Sequence, residues 1–321
     1  STIGDADWPN FRVAYEWLSA ERQASAEWRS WRVMAAAPGE AERSEAERNT
    51  LAAGRGFHAY LAAEILSLPP GLASDDIVAA PVSDSDVVAR VRELIAVGMI
   101  WEARSEFRAA LDDPAVALSL ADLAAESGWH SLAIEAAAAA KAWGRVDLRF
   151  PVVYQTEFSN ASEESGLDVE ELFAVARRES AMAPDAVSEV GARGLMQLMP
   201  STARLTARKH NYRYSRSRLI RPGYNTAVGA LYYADLIKQY DGNRVLALAA
   251  YNAGPNRVRR WSEGTMSVAR WVDTIPFKET REYVRAVLAY NVLYRIKSGK
   301  AATMLTDTER DYLYHIVSSE Q

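Results

Sequence analysis

One glutamate lies where a helix would bury it. Helical spacing of about 100° per residue gathers the apolar residues of segment 166–180, Gly-Leu-Asp-Val-Glu-Glu-Leu-Phe-Ala-Val-Ala-Arg-Arg-Glu-Ser, on one face. Glu179 falls on that face, seven residues after Leu172 and four after Val175. A carboxylate there is costly unless it is paired or protonated. The position therefore predicts either a general acid or a paired structural glutamate at a fraying helix end, since Pro184 follows closely.

Flexible backbone and polar side chains follow this glutamate. Residues 188–199 read Ser-Glu-Val-Gly-Ala-Arg-Gly-Leu-Met-Gln-Leu-Met. Gly191 and Gly194 permit tight turns with positive φ, and Pro200 suits the first turn of a new helix. Gln197 offers both donors and acceptors, and the methionines could line a groove or simply fill a core.

Two later segments place polar side chains at helix ends. Gly254 and Pro255 end an apolar helix and leave Tyr251 and Asn252 in its last turn. A phenol and an amide suit sugar hydroxyls or an N-acetyl group, although alone the segment is only a helix C-cap. Glu279 follows a proline near a predicted helix start, where the macrodipole favours an anion, so it predicts either a ligand contact or a cap.

Helical patterns dominate the rest of the chain and predict an all-α fold. The 17 Gly and 12 Pro fall mostly between periodic segments, and strand-like alternation is nearly absent. Asp168 and Glu171 predict a capping box for the helix that carries Glu179. We expect two or three helices over 1–67, a linker over 68–84, and helical hairpins built from 86–97, 101–111, 115–127 and 132–143. A change in composition near residue 150 predicts a second domain.

Composition excludes several classes of protein. The chain has 321 residues, a net charge of -5, no cysteine and four isolated histidines. Thiolate chemistry and cysteine-ligated metals are excluded, and we expect no metal and no cofactor. The charge argues against a nucleic-acid partner, and no apolar run is long enough for a membrane span. The N-terminus lacks signal-peptide features, which predicts either a cytoplasmic protein or a chain without its targeting segment.

Four ordered motifs carry a resemblance to a known family. They are Ala-Arg-Arg-Glu-Ser at 176–180, Gly-Ala-Arg-Gly-Leu-Met-Gln-Leu-Met-Pro at 191–200, Ala-Tyr-Asn-Ala-Gly-Pro at 250–255 and Ile-Pro-Phe-Lys-Glu-Thr-Arg at 275–281. This set resembles the catalytic domain of the soluble lytic transglycosylases of Gram-negative bacteria, which shares the goose-type lysozyme fold. The resemblance implies the tail of a helical superhelix over 1–80, a helical linker domain over 81–150 and a lysozyme-like catalytic domain over 151–321. Because family members are much longer, we expect a truncated or unusually short form.

The resemblance implies periplasmic cleavage of peptidoglycan glycan strands. The β-1,4 bond between N-acetylmuramic acid (MurNAc) and N-acetylglucosamine (GlcNAc) would break as the muramyl 6-hydroxyl closes onto the anomeric carbon, giving a 1,6-anhydro end. Cell-wall synthesis or division proteins are implied as partners of the helical N-terminal half. The implied site consists of Glu179 as acid and base, Ser188 and Gln197 near the cleavage point, Met199 packed against sugars, Tyr251 and Asn252 lining the groove, and Glu279 binding sugar or peptide groups.

The residues are compatible with this chemistry. An ordinary glycosidase needs two carboxylates, whereas Glu179 is the only acid for which the pattern predicts convincing burial. One carboxyl can first protonate the glycosidic oxygen and then accept the proton of the 6-hydroxyl, provided that its apolar surroundings raise its pKa. Two alternatives stay open. A hydrolytic muramidase would need a second carboxylate, with Asp185 and Glu189 nearest in sequence, and a non-catalytic peptidoglycan-binding scaffold would need none.

One segment departs from the family pattern. Residues 204–221 are rich in Arg and Lys, and no Asp or Glu occurs from 190 to 234. We expect family members to carry an acidic residue near Arg221. The segment is interpreted either as a solvated face or as a surface that attracts the carboxylates of peptide stems.

Overall fold

The fold of the chain is all-α, as the sequence predicts. The structure is a computed structural model and describes residues 7–36, 39–71, 86–262, 267–307 and 309. These residues form eighteen α-helices and one 3-10 helix, and two isolated β-bridges are the strand-type pairing found among them. Residues 72–85, most of the predicted linker, lie outside the described ranges, as do the first six residues. No helix within these ranges is both long and apolar enough to cross a membrane.

The N-terminal region contains five helices, so the prediction of two or three was wrong. Ser19 and Ser25 each cap the start of a new helix, because their side chains accept hydrogen bonds from the backbone N–H groups of Arg22 and Trp28. Gly56, with φ 96°, separates the last two helices. The five helices are α1 (Trp8–Glu16), α2 (Ala20–Ala24), α3 (Ala26–Met34), α4 (Ala41–Ala52) and α5 (Phe57–Ile65).

The chain forms two compact units. Unit 1 comprises Ser1–Ala73, Asn160–Arg178 and Ala227–Gln321, and unit 2 comprises Ser74–Ser159 and Glu179–Thr226. The three-domain division expected from the resemblance stays a prediction.

Unit 2 begins with the helical hairpins that the sequence predicts. They are α6 (Asp86–Ala96), α7 (Ile100–Ala109), α8 (Pro114–Glu126) and α9 (His130–Ala139), followed by the short α10 (Val146–Arg149). Helix α6 packs on α7 and α8 on α9 around a core that includes Phe107 and Leu120. The last helix was predicted to reach residue 143 but ends at Ala139, because Lys141 takes a left-handed conformation with φ 52°.

The remaining helices belong to the C-terminal half of the sequence. They are α11 (Gln155–Ser165), α12 (Val169–Ser180), α13 (Pro200–Lys209), the 3-10 helix η1 (Arg216–Ile220), α14 (Pro222–Gln239), α15 (Arg244–Ala253), α16 (Pro255–Trp261), α17 (Val268–Thr274) and α18 (Lys278–Lys297). In unit 1, α18 packs against α5, α15 and α17. The ring of Phe173 stacks on that of Tyr294 at 5.3 Å between centroids, which fixes α12 on α18.

Candidate active site

Glu179 lies in the last turn of α12, at the end of the apolar face that the sequence predicts. Leu172 and Val175 on this face are fully buried, but Glu179 is only half-buried because the helix ends one residue later. The expectation that Glu179 is the one convincingly buried acid was therefore wrong. Among the described residues, Glu170, Glu171 and Glu309 are buried, and the side chain of Asp273 is 2% exposed.

Two arginines hold the turn that precedes Glu179. Each is half-buried against an aromatic ring of α18. The guanidinium carbon of Arg177 lies 5.2 Å from the ring centroid of Tyr290, and that of Arg178 lies 5.7 Å from Tyr283. Burial lowers the pKa of Arg177. The last turn of α12 is thus held by cation–π contacts rather than left to fray.

The backbone directly after α12 adopts an uncommon conformation. Ala181 and Met182 have φ values of 49° and 64°, in the left-handed region that residues with a side chain rarely occupy. Each such residue costs about 1–2 kcal/mol. The side chain of Met182 is 1% exposed, so its packing offsets this cost. Strain of this kind is characteristic of functional sites.

Ser188 and Gln197 lie in one loop, where both bond to its backbone. The hydroxyl of Ser188 accepts the N–H of Ala192 at 3.0 Å. The amide nitrogen of Gln197 donates to the carbonyl of Ala186 at 3.2 Å and to that of Gly194 at 2.9 Å. These contacts bring the two predicted residues together as parts of one ordered loop.

Met199 ends this loop and is 37% exposed, directly before α13. The sequence predicts a helix start at Pro200, and Pro200 is the first residue of α13. An exposed thioether at a helix entry is available for contact with a ligand.

A buried asparagine that the sequence analysis missed fixes the same loop. Asn225, at the start of α14, is 0% exposed. Its Oδ1 accepts the N–H of Met196 at 2.7 Å, and its Nδ2 donates to the carbonyls of Arg193 and Leu219 at 2.9 and 2.8 Å. A Cβ at Gly194 would lie 2.1 Å from the Leu219 carbonyl oxygen, so the backbones are in direct contact. The sequence offered one signal for a buried Asn225: it lies three residues before Val228, on the same face of the helix, and Val228 is buried.

Tyr251 and Asn252 lie in the last turn of α15, as predicted, and belong to unit 1. The hydroxyl of Thr280 donates to Oδ1 of Asn252 at 2.7 Å, which orients the amide. The ring of Tyr251 lies 5.2 Å from that of Tyr232 and 6.0 Å, edge to face, from that of Tyr233. The two predicted residues are therefore held by neighbouring helices rather than by the cap alone.

Glu279 is exposed in the first turn of α18, where the sequence places it near a helix start. It directly precedes Thr280, whose hydroxyl bonds to Asn252. Unit 1 therefore brings Glu279 and Asn252 to neighbouring helix ends.

A buried charged cluster underlies α15 in unit 1. The phenol of Tyr233 donates to Oε1 of Glu171 at 2.5 Å, and Arg244 lies 3.7 Å from the same oxygen. Arg244 also pairs with Glu309 at 2.9 Å. Burial raises the pKa of Glu171 and that of Tyr233. The predicted capping-box residue thus serves a tertiary contact that sequence spacing could not reveal.

Among the described residues, no group of three or more His, Asp or Glu side chains is placed to hold a metal ion.

Comparison with solved structures defines the class of fold. The chain superposes with a TM-score of 0.88 on an inactive Glu-to-Gln variant of the lytic transglycosylase Slt from Pseudomonas aeruginosa, at 35% identity over 96% of this chain and 52% of that one. It superposes with a TM-score of 0.82 on the 70 kDa soluble lytic transglycosylase of Escherichia coli, at 32% identity with the same coverage. The fold is therefore that of the lytic transglycosylases.

Sequence comparison gives the family. The family model described as Transglycosylase SLT domain matches residues 157–274, that of the Soluble lytic murein transglycosylase L domain matches 81–146, and that of the Soluble lytic transglycosylase helical domain matches 274–302. Curated relatives include a putative soluble lytic murein transglycosylase of Haemophilus influenzae, 36% identical over 88% of this chain and 49% of that protein. The soluble lytic murein transglycosylase of Escherichia coli K12 is 34% identical over 91% of this chain and 47% of that protein. The chain belongs to the soluble lytic transglycosylase family and spans about half the length of the relatives it matches.

Proposed function

We propose that this chain is a peptidoglycan lytic transglycosylase that cleaves the MurNAc-β-1,4-GlcNAc bond without water and leaves a 1,6-anhydro-MurNAc end. The observation that carries the proposal is the half-buried Glu179, held at the end of α12 by anchored arginines and followed by a strained backbone and an ordered loop. Family membership supports it. The Pseudomonas relative, which a single Glu-to-Gln change leaves inactive, supports chemistry that depends on one carboxyl group.

The reaction needs one carboxyl group and no co-reactant. Protonated Glu179 gives its proton to the glycosidic oxygen as the bond to the muramyl anomeric carbon breaks, and the electron pair leaves with that oxygen. The muramyl 6-hydroxyl oxygen then bonds to the anomeric carbon and gives its proton to the Glu179 carboxylate. The carboxyl group is regenerated, and the products together have the mass of the substrate.

A half-buried Glu179 fits both steps. Its exposed portion lets a sugar approach, whereas the apolar face of α12 excludes water from the other side. A bound glycan would cover the carboxyl group and favour its uncharged form, which the first step requires. The firm attachment of α12 keeps the group in position as charge develops.

The other predicted residues are proposed to bind substrate. Ser188 and Gln197 would shape the backbone that faces the sugar, since their side chains bond within the loop. The exposed Met199 would pack against a sugar face. The roles proposed for Tyr251, Asn252 and Glu279 are contacts with sugar hydroxyl, N-acetyl or peptide groups.

Mass spectrometry of the soluble products released from purified sacculi tests the proposal. We expect muropeptides one water lighter than hydrolysis products and without reducing ends. Glu179→Gln should release none, because its amide cannot donate a proton as an acid, yet it should still bind sacculi. Glu189→Gln is the matched control in the same region, since its carboxylate is exposed, and it should release the same products.

Other outcomes of this experiment support the alternatives. Reducing ends would indicate a hydrolytic muramidase that uses a water molecule and a second carboxylate, with Asp185 and Glu189 to be tested. Binding without any product would indicate a non-catalytic scaffold. A periplasmic location and contacts with cell-wall proteins follow from the proposed substrate and stand or fall with it.

A further inference from the structure

Six exposed arginines form a basic surface in unit 2. They lie on α13, in the turn after it, on η1 and directly after η1, within a stretch from 190 to 234 that contains no Asp or Glu. The protein as a whole carries a net charge of -5, so this surface has the opposite sign. We call it the basic face, consisting of Arg204, Arg208, Arg213, Arg216, Arg218 and Arg221.

Tyrosine rings support this surface. The guanidinium carbon of Arg204 lies 5.1 Å from the ring centroid of Tyr214, and that of Arg218 lies 4.4 Å from the ring of Tyr224. The phenol of Tyr224 donates to the carbonyl of Arg213 at 3.2 Å. The backbone of the turn and two arginines of the basic face are therefore ordered before any ligand binds, which lowers the entropic cost of binding.

The charges of the basic face are not balanced within the part of the chain that the structure describes. No carboxylate there lies within 4.0 Å of any of its six guanidinium groups. Other arginines of the protein are paired: Arg145 contacts Asp122 at 2.6 Å, and Arg244 contacts Glu309 at 2.9 Å. The basic face thus presents donors suited to an external anion.

The basic face is fastened to the loop that follows Glu179. The carbonyl of Leu219, in η1, accepts from Asn225, and the same side chain bonds to Arg193 and Met196 of the loop. Both segments therefore share one buried anchor, Asn225.

We infer that the basic face binds the carboxylates of peptidoglycan peptide stems and so anchors the protein to its substrate. This inference rests on the proposed function. Arginine forks pair with carboxylates in a directed geometry. Several exposed pairs, each weak, allow attachment that can be released. Single-stranded nucleic acid fits less well, because the tyrosine rings on which bases would stack are already covered by arginines.

The test measures binding of Glu179→Gln protein to intact sacculi, so that cleavage does not interfere. The charge variant replaces Arg208, Arg213 and Arg216 with Gln, which spares both tyrosine-stacked arginines. The control variant replaces Arg90, Arg92 and Arg108 of the hairpin helices with Gln, exposed positions with the same change of charge. We expect about fivefold weaker binding for the charge variant at low salt and a change within twofold for the control.

Two conditions identify the ligand group. The difference between the two variants should vanish in roughly 0.5 M salt, where screening is strong, and on sacculi whose carboxylates have been amidated. Equal binding by the two variants, or a loss that persists on amidated sacculi, would overturn the inference. Displacement by single-stranded DNA at lower concentration than by stem-bearing glycan would replace it with a nucleic-acid site.

Cleavage by protein with intact Glu179 separates the inference from the proposed function. Normal cleavage together with equal binding by both variants would overturn the inference about the basic face but support the proposed function. Selective loss of binding by the charge variant, without any cleavage by the parent protein, would support the inference but overturn the proposed function.

Discussion

Gly191 and Gly194 share a backbone requirement but differ in their surroundings. Both have positive φ, 90° and 79°. A Cβ at Gly191 would meet nothing within 4 Å, whereas one at Gly194 would lie 2.1 Å from the Leu219 carbonyl oxygen. We expect Gly191→Ala to lower the free energy of unfolding by about 1–2 kcal/mol, the cost of left-handed backbone.

Gly194→Ala should cost clearly more, because it adds this backbone clash to a similar conformational cost. Urea denaturation of the two variants measures the difference. Equal losses would show that the loop can move away from η1, contrary to the packing described.

The residue scale also shows how far sequence reasoning reaches. The glycines, Pro200 and the helix-end position of Asn252 were predictable, because each acts through its own backbone or its immediate neighbours. Asn225 was not identified, because its partner Met196 lies 29 residues earlier in the chain. The half-exposure of Glu179 was missed because periodicity gives the direction of a side chain but not how deeply it is buried.

At the scale of elements, Arg244 contacts two glutamates at different distances, and we expect the two to contribute differently to stability. Arg244 begins α15, and both its side chain and its backbone N–H donate to Glu309. Glu171 lies farther from it, at 3.7 Å. We expect Glu309→Gln to lower the free energy of unfolding by about 3–5 kcal/mol, because a buried guanidinium loses its close partner.

Glu171→Gln should behave differently, with a pH dependence set by burial. Burial raises the folded-state pKa of Glu171 above its ordinary value of 4.5. Its stabilising contribution is thus present below about pH 4.5 and is lost as pH rises through the folded-state pKa. The variant should match the parent in stability near pH 4 and exceed it at pH 7. Thermal unfolding of variant and parent across this range checks the sign. A variant that becomes less stable than the parent as pH rises would contradict the prediction.

Helix boundaries were mostly predictable, and the exceptions have local causes. Serine caps divided the N-terminal segment at Ser19 and Ser25, although its apolar period continues through both. A left-handed Lys141 shortened α9, and no glycine marked that position. Periodicity therefore located the helices but could not count those separated by a single capping residue.

At the scale of the molecule, unit 1 is held together by a buried ionic network. Asp273 of α17 contacts His58 of α5 at 2.9 Å and pairs with Arg285 of α18, which also reaches Glu27 of α3 at 2.8 Å. The side chain of Asp273 is 2% exposed and that of Glu27 is 38% exposed. We expect Asp273→Asn to cost about 3–5 kcal/mol.

Glu27→Gln is the matched control, because it removes a more exposed partner of the same arginine and should cost about 1 kcal/mol or less. The melting temperatures of the two variants compare them directly. A similar decrease in both would mean that burial does not determine the strength of this network.

This network joins helices that lie far apart in the sequence. Helices α3 and α5 belong to the same unit as α17 and α18, and the division into three domains stays a prediction. The pairs that join these helices span more than two hundred residues, as His58 and Asp273 do. Local spacing in the sequence carries no information on such pairs.

The basic face has a practical consequence for handling the protein. A pI near 5.6 suggests that the chain should avoid negatively charged supports at neutral pH. The unbalanced arginines on one face counteract this, since a molecule with uneven charge orients before it adsorbs. On a carboxylated sensor chip or a cation-exchange resin, the protein would bind through the basic face, and that face would no longer be available to a ligand.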